Sequence, residues 1–321
     1  IGQEADLVKF YLVTNDGHTV QQEQSSSNTF SFFQAFQSLH PISGSAEGGT
    51  RITIRGFGFH DKPDKYSGSF QQDNNDGTNT TCTSIEYVNS TTLVCTSPAW
   101  TYAGVKTNFT LEFVSASGNR IKIADGVEYS FIQSWSEMNV TRGPASGGTV
   151  IAITGAGFHS SHVYSCIFTS SVGQHVLSVG AKFMGHTELV CQSPFWDQTA
   201  QSSIVSIFGN NKLVDFNSDD PTGDVFVISA AWTLVSPSVA SSAGGMELTV
   251  AGYGFDVSKP AGYYQCFWYT QSSLDIASSA QLGMFTNATA ETSTIITCSA
   301  MAWGIGQEAD LVKFYLVTND G

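Results

Sequence analysis

The sequence predicts an all-β protein in which three antiparallel β-sandwiches follow one another. A motif around a Gly-Gly pair occurs at residues 48–49, 147–148 and 244–245, so the repeating unit is about a hundred residues long. After each pair, apolar residues alternate with residues that can face solvent, which is the period of a half-buried strand. No segment has the 3.6-residue period of an amphipathic helix. Short strands with frequent turn signals in units of this length are typical of a β-sandwich.

Each unit carries the same landmarks in the same order. An aromatic residue lies twelve positions before each Gly-Gly pair, and the first strand after the pair turns two aliphatic residues inward. Next come "GFGF", "GAGF" or "GYGF", where glycine suits a tight turn or a close backbone approach and the last Phe returns to the core. A late cysteine is then followed five residues later by Trp. In chain order these landmarks are Phe36, Trp135 and Trp232; Ile52/Ile54, Ile151/Ile153 and Leu248/Val250; "CTSPAW", "CQSPFW" and "CSAMAW".

The late strand of the first unit, "NFTLEFV" at 108–114, shows how the alternation assigns faces. Phe109, Leu111 and Phe113 are predicted to point into the core. The residues between them are predicted to point outward, which agrees with a glycan on Asn108.

These motifs resemble the IPT/TIG domain, an immunoglobulin-like fold. The resemblance is carried by the "P-x-x-G…GGT-x-[IV]-x-I-x-G-x-x-F" opening followed by "C-x-[ST]-P", and it covers essentially the whole chain in three copies. The third copy departs most, because Met246 replaces the Thr after Gly-Gly and "CSAMAW" lacks the Pro. Domains of this family occur in plexins, scatter-factor receptors, fibrocystin-like surface proteins and Rel-type transcription factors. The resemblance therefore implies the fold more than the function.

The first seventeen residues, "IGQEADLVKFYLVTNDG", recur without change at 305–321. We interpret the chain as a window of a longer array with a 304-residue period; separate permuted chains that complete one another by strand donation are the rival interpretation. Residues 1–36 then supply the C-terminal strands of the preceding copy's third domain. The three IPT/TIG domains are predicted at 37–134, 135–231 and 232–321, here named repeats 1, 2 and 3, and repeat 3 is expected to lack its last strand.

Composition excludes several classes of function. The 321 residues carry 13 Lys and Arg against 27 Asp and Glu, a formal charge of −14. This charge disfavours binding to nucleic acid and to anionic membranes. No apolar run approaches the ~20 residues of a membrane span, so direct membrane insertion is not expected. Paired cysteines together with several N-x-[ST] sequons instead predict an extracellular or cell-surface glycoprotein.

The candidate sites are structural. Two cysteines per unit favour the intra-unit disulfides Cys82–Cys95, Cys166–Cys191 and Cys266–Cys298, although six cysteines allow fifteen connectivities and free buried thiols are the alternative. N-linked glycans are expected at Asn79, Asn89, Asn108, Asn139 and Asn287.

No cofactor, metal site or catalytic site is predicted. Two oxygen-rich loops, 73–79 and 215–224, are weak calcium candidates. His159, His162 and Cys166 lie close in sequence, but repeat 3 has Asp256 in place of the first histidine, which favours a loop histidine over a metal ligand. Nucleophile-elbow, zinc-protease and phosphate-loop motifs are all missing from the sequence, so an enzyme is not expected.

The function predicted is an extracellular structural glycoprotein whose tandem repeats build an elongated fibre, such as a sheath, a surface fibre or a flagellar hair. Its expected partners are neighbouring repeats or chains of the same protein. At about 3.3 Å per residue along strands of seven to ten residues, one domain is roughly 25–35 Å long and one 304-residue period extends about 100 Å. The alternative is an adhesion or receptor ectodomain that binds a surface glycan or a protein.

Overall fold

The structure is a computed structural model, and it describes residues 6–9, 11–20, 29–72, 79–115, 118, 120–170, 176–270, 284–303 and 312–318. The described residues form two compact units. The first contains Ile1–Trp135, Thr154–His162 and Phe183–Glu188, and the second contains Ser136–Ile153, Val163–Lys182 and Leu189–Gly321. Apart from one 3-10 turn, Pro63–Lys65, the regular structure in these ranges is strand, which confirms the predicted all-β class.

Repeat 1 lies in the first unit and forms a two-sheet sandwich. Its first sheet has the order β3-β5-β9-β8, and its second has the order β4-β11-β10-β6-β7. Two further strands, β1 and β2, pair with each other antiparallel. The strands of this unit are β1 Asp6–Lys9, β2 Thr29–Phe32, β3 Ala35–His40, β4 Ser43–Ser45, β5 Arg51–Phe57, β6 Tyr66–Gln72, β7 Asn79–Thr81, β8 Ser84–Asn89, β9 Thr92–Thr96, β10 Lys106–Val114 and β11 Arg120–Ile132.

The core of repeat 1 lies between its two sheets. Ile52 and Ile54 of β5 are fully buried, as the alternation predicts, and Phe109, Leu111 and Phe113 of β10 are at most 2% exposed. Phe70 packs against Phe109 with ring centroids 5.1 Å apart. Phe70 and Phe109 lie opposite each other on neighbouring strands of the second sheet, and fully burying a side chain of this size contributes about 1.5–3 kcal/mol to the core.

The strands of repeat 2 join into one nine-stranded sheet of order β13-β20-β18-β15-β16-β17-β14-β12-β19. Strand β18 pairs antiparallel with β15, β19 and β20, and β20 pairs in parallel with β13. The bounds are β12 Ser134–Met138, β13 Arg142–Pro144, β14 Val150–Ala156, β15 Tyr164–Ser170, β16 Val176–Gly185, β17 Glu188–Gln192, β18 Ser202–Gly209, β19 Lys212–Phe216 and β20 Val225–Ser229.

Repeat 3, in the second unit, forms a six-stranded sheet of order β21-β22-β25-β24-β23-β26. The strands are β21 Ala231–Ser236, β22 Glu247–Tyr253, β23 Tyr264–Thr270, β24 Met284–Thr292, β25 Ile295–Ser299 and β26 Val312–Thr318. Strand β26 belongs to the C-terminal copy of the seventeen repeated residues, and it lies at one end of this order. The described part of the chain contains no helix long and apolar enough to cross a membrane.

Candidate functional site

The Gly-Gly turn of each repeat is fitted against the loop between the late cysteine and its Trp. The first glycine of each pair has a positive φ, and a Cβ built on it would lie within 2.7 Å of backbone atoms of that loop: Gly48 against Pro98, Gly147 against Pro194, Gly244 against Met301. The second glycine has open space around its Cβ position and donates its N–H to the same loop. The three acceptors are the carbonyls of Ser97, Ser193 and Ala300, at 2.8–2.9 Å.

The Trp that ends this loop is held through both its side chain and its backbone. Trp100 and Trp196 are fully buried, and their indole Nε1 groups donate to the carbonyls of Ala103 and Thr199 at 2.9 and 3.1 Å. The backbone N–H of Trp100 donates to the Ala46 carbonyl at 2.7 Å. The ring of Trp100 stacks on Phe131 of β11 with centroids 4.6 Å apart. The loop thereby ties the Gly-Gly turn to the last strand of the repeat.

The boundaries between repeats are built from equivalent residues. The N–H of Gly104, four residues after Trp100, donates to the carbonyl of Gly157 at 2.8 Å. The N–H of Ala200, four residues after Trp196, donates to the carbonyl of Gly254 at 2.9 Å. Both acceptors are the second glycine of the "G-x-G-F" motif in the following repeat. The same backbone hydrogen bond therefore joins repeat 1 to repeat 2 and repeat 2 to repeat 3.

These junction glycines also leave room for the preceding repeat. A Cβ on Gly157 would lie 2.9 Å from the Cβ of Ala46, and one on Gly254 would lie 2.8 Å from the Cβ of Ala145. Both alanines stand three residues before the second glycine of their own Gly-Gly turn. At the second junction, Tyr253 packs edge-on against Phe195 at 4.9 Å. The junctions are thus direct backbone and apolar contacts.

The three predicted cysteine pairs are joined as disulfides in the structure: Cys82–Cys95, Cys166–Cys191 and Cys266–Cys298. Cys95, Cys166 and Cys266 are fully buried, so the bridges form part of the cores. Disulfides of this kind are typical of secreted and cell-surface proteins. A closed loop of this size contributes on the order of 3 kcal/mol by constraining the unfolded chain, in the chain-entropy account.

Comparison with protein families identifies the repeated unit. The sequence model of the IPT/TIG domain matches residues 35–123 and 135–222, more than half of the chain. The chain belongs to the IPT/TIG domain family. The matches cover most of repeats 1 and 2, and the family is a module of structural and binding proteins that indicates no catalytic activity.

Solved structures resemble the chain only at low identity. The plexin A4 extracellular region with domains 1 to 10 is 16% identical over 89% of this chain and 22% of its own, with a TM-score of 0.27. The FN1–FN3 domains of chicken CNTN1 are 12% identical over 89% and 98%, with a TM-score of 0.27. A tetra-tandem repeat from the extending region of a large adhesion protein is 10% identical over 96% and 79%, with a TM-score of 0.29.

The chain spans about a fifth and about two fifths of the two plexin A4 chains that it matches, at 22% and 41% of their lengths. None of the curated proteins matches it.

The asparagines of the predicted sequons lie on strands or next to their ends. Asn79, Asn89, Asn139 and Asn287 are exposed, and Asn108 of β10 is half-buried. The amide oxygen of Asn89 accepts hydrogen bonds from the N–H and hydroxyl of Thr91, at 2.9 and 2.8 Å. Glycan occupancy at these positions remains a prediction.

The candidate metal residues make other contacts. Cys166 is held in a disulfide, while His159 and His162 stack on each other at 5.1 Å, and the Nδ1 of His159 lies 2.9 Å from the hydroxyl of Ser161. In the 215–224 loop, Asp220 accepts hydrogen bonds from the backbone and hydroxyl of Thr222. Positions 73–78 of the other loop lie outside the described residues. Within the described ranges, no group of three His, Cys, Asp or Glu is arranged to hold a metal ion.

A tyrosine beside the "G-x-G-F" loop is a feature that our sequence analysis missed. The Tyr66 hydroxyl accepts from the N–H of His60 at 2.7 Å and donates to Gln34 Oε1 at 2.9 Å. In repeat 3 the Tyr264 hydroxyl accepts from the N–H of Asp256 at 2.9 Å. Tyr begins the strand after the "G-x-G-F" loop in every repeat, at 66, 164 and 264, and that recurrence is the signal that could have found it.

We expect Tyr66→Phe to cost about 1 kcal/mol of unfolding free energy, the usual net value of a lost hydrogen bond. Burial raises the pKa of Tyr66 to about 12, above the ordinary value near 10. Stability from the neutral hydroxyl is therefore complete below about pH 10 and is lost as pH rises towards 12. Unfolding midpoints between pH 8 and 11.5 should fall less steeply in Tyr66→Phe than in the parent. The same change at Tyr11, which is 58% exposed, is the control, and equal slopes would contradict the expectation.

Proposed function

We propose that this chain is the repeating unit of an extracellular structural glycoprotein whose IPT/TIG domains follow one another in series to build a fibre. The observation that supports the proposal is the backbone hydrogen bond that the two junctions share. Gly157 and Gly254 accept from the loop of the preceding repeat at 2.8 and 2.9 Å, through residues at the same offset from Trp. A hydrogen bond that forms at two successive boundaries between repeats can form at further boundaries of the same kind.

Exact recurrence supports the same proposal. Residues 1–17 and 305–321 are identical, so a second copy presents equivalent surfaces 304 residues later. A head-to-tail contact between identical units that does not close into a ring generates an open filament. A site for one specific ligand, in contrast, needs a surface that occurs only once. Near-identical copies therefore fit a mechanical fibre better than a ligand-binding protein.

Self-association with neighbouring repeats or chains is the partner relationship that this function requires. The formal charge of −14 disfavours nucleic acid, and the sequons supply positions for a glycan coat. Neither a cofactor nor membrane insertion is part of the proposal.

Electron microscopy of the natural material, combined with intact mass after reduction and deglycosylation, tests the fibre. We expect filaments with an axial repeat of about 100 Å, the length estimated for three strand-long domains in series. A mass of many multiples of the 304-residue period indicates one continuous array, and a mass near 34.3 kDa indicates separate chains. Isolated particles of a few divergent domains next to a membrane anchor would contradict the fibre and favour a receptor ectodomain.

A further inference from the structure

A row of aromatic side chains crosses the outward face of the repeat 3 sheet. Phe285 of β24 lies opposite Phe267 of β23, and Phe267 lies opposite Tyr315 of β26. The neighbours of Phe267 on β23, Cys266 and Trp268, are buried, so the alternation of a strand places the row on the other face of the sheet. Phe285 is 53% exposed, while Phe267 and Tyr315 are half-buried. We call these three residues the aromatic row.

The equivalent positions of repeats 1 and 2 carry no aromatic side chain. Counted from the tyrosine that begins each of these strands, Phe267 corresponds to Ser69 of repeat 1 and Ile167 of repeat 2. The opposed trios of residues are Thr81–Ser69–Thr110 and Ser178–Ile167–Ser206. Because repeats 1 and 2 fold without aromatic residues at these positions, the fold alone does not account for the aromatic row.

A predicted glycosylation site lies beside the row on the same face of the sheet. Asn287 follows Phe285 by two residues on β24, and side chains two positions apart on a strand share a face. Asn287 is exposed and lies opposite Gln265 of β23. The Cα atoms of such a pair are about 6.6 Å apart along the strand, so the first sugar of a glycan on Asn287 reaches the Phe285 ring.

Backbone fills the other flank of the Asn287 side chain. A Cβ built on Gly262 would lie 3.2–3.3 Å from the carboxamide atoms Cγ, Oδ1 and Nδ2 of Asn287. Gly262 precedes Tyr264, whose partner on β24 is Ala288, so it lies on the side of Asn287 that faces away from Phe285. A sugar joined to Nδ2 therefore has its room on the Phe285 side.

Among the five predicted sequons, this is the one that follows an exposed aromatic residue at that spacing. At three of the others, the residue two positions earlier is glycine or charged: Gly77 before Asn79, Lys106 before Asn108 and Glu137 before Asn139. Asn89 follows Tyr87, but Tyr87 is half-buried and packs against the core of repeat 1. The arrangement thus distinguishes Asn287 from the other four asparagines.

We propose that Asn287 carries an N-linked glycan whose first N-acetylglucosamine stacks on Phe285 and shields the aromatic row. One face of the sugar ring presents C–H groups, and packing it on an exposed phenyl ring removes apolar surface of both from water. The glycan thereby covers an apolar surface that would otherwise favour unspecific association. The proposal rests on the extracellular glycoprotein proposed above and gives one of its glycans a structural role.

The modification itself is the ordinary transfer to a sequon asparagine. The Nδ2 of Asn287 loses one proton and bonds to C1 of the first sugar, while the bond between C1 and the oxygen of a lipid-linked diphosphate donor breaks and the lipid diphosphate leaves. The donor and the transferase belong to the secreting cell. What this chain contributes is the acceptor sequon, completed by Thr289, and the ring beside it.

A double-mutant cycle on the full chain, secreted from glycosylating eukaryotic cells, tests the stacking. Thr289→Val removes the sequon but keeps the Asn287 side chain and its contact with Gly262, and Phe285→Ala removes the ring. We expect the glycan to slow amide exchange in β24 and β25 by about two- to tenfold, the size of one aromatic contact, and by less than about 1.5-fold in Phe285→Ala. Phe285→Tyr keeps a ring and should keep the full effect. Peptide mass spectrometry measures occupancy in every variant.

Nuclear magnetic resonance gives a second readout, which a merely solvating glycan would not move. The N-acetyl methyl signal of the sugar on Asn287 should shift upfield, because the sugar lies over the face of an aromatic ring. In Phe285→Ala the same signal should return to the position of an exposed glycan. Phe285 is itself 53% exposed, so this variant is expected to fold.

Thr141→Val is the matched control, because it removes the sequon at Asn139, where Glu137 stands in place of the aromatic residue. Its effect on amide exchange in repeat 2 should stay within about 1.5-fold. An unmodified Asn287 in the secreted protein overturns the proposal, and so does a glycan effect that is equal with and without the Phe285 ring. Filaments that form in spite of such a result would leave the fibre function standing and remove only the stacked glycan.

Discussion

Trp100→Ala should lower the unfolding free energy of repeat 1 by about 3–5 kcal/mol, the usual cost of removing a fully buried Trp. The side chain stacks on Phe131, and its Nε1 donates to the Ala103 carbonyl at 2.9 Å. The alanine variant leaves a cavity between the loop and the last strand, and it leaves that carbonyl without its indole donor. Urea unfolding followed by hydrogen-exchange mass spectrometry gives the stability of each repeat separately.

Trp303→Ala is the matched control, because the same landmark residue is only half-buried in repeat 3. At concentrations where the chain is monomeric, this substitution should cost clearly less than Trp100→Ala, because less apolar area is returned to water. Equal costs at the two positions would show that the stack on Phe131 contributes nothing, and the packing account of the loop would then be wrong.

Much of this fold could be predicted because it is repeated. Alternation assigned Ile52 and Ile54 to the core, and both are fully buried. The presence of two cysteines in each unit predicted three pairs, and the structure joins all three as disulfides. Such features depend on neighbours along the chain, or on landmarks that recur at a fixed spacing, and a sequence displays both.

The contacts between repeats could not be predicted in the same way. That Gly157 accepts from Gly104, 53 residues earlier, or that Tyr66 donates to Gln34, 32 residues earlier, depends on segments that meet only after folding. The glycines of "G-x-G-F" were predicted to form a tight turn or to allow another backbone segment to come close. The sequence did not identify which segment that would be.

The two glycines of a Gly-Gly pair should respond very differently to alanine, although both have positive φ. Gly147 has φ +74°, and a Cβ there would lie 2.7 Å from the backbone of Pro194 and Phe195. Gly148 has φ +80° with open space around it. A left-handed alanine costs about 1–2 kcal/mol by itself, and forcing a methyl into packed backbone adds about 1–3 kcal/mol. We therefore expect about 3 kcal/mol or more for Gly147→Ala and about 1–2 kcal/mol for Gly148→Ala.

Local stability of repeat 2, measured by hydrogen exchange in urea, separates the two variants. The stability of repeat 1 in the same molecules is the internal control, because Gly147 contacts the Pro194 loop of its own repeat. The Gly48/Gly49 pair of repeat 1 has the same asymmetry, with backbone at 2.6 Å from the first Cβ position and none within 4 Å of the second. Repeating the two substitutions there should reproduce the difference. Equal losses at both members of a pair would mean that the backbone angle alone selects glycine, and that the turn is not fitted against the loop.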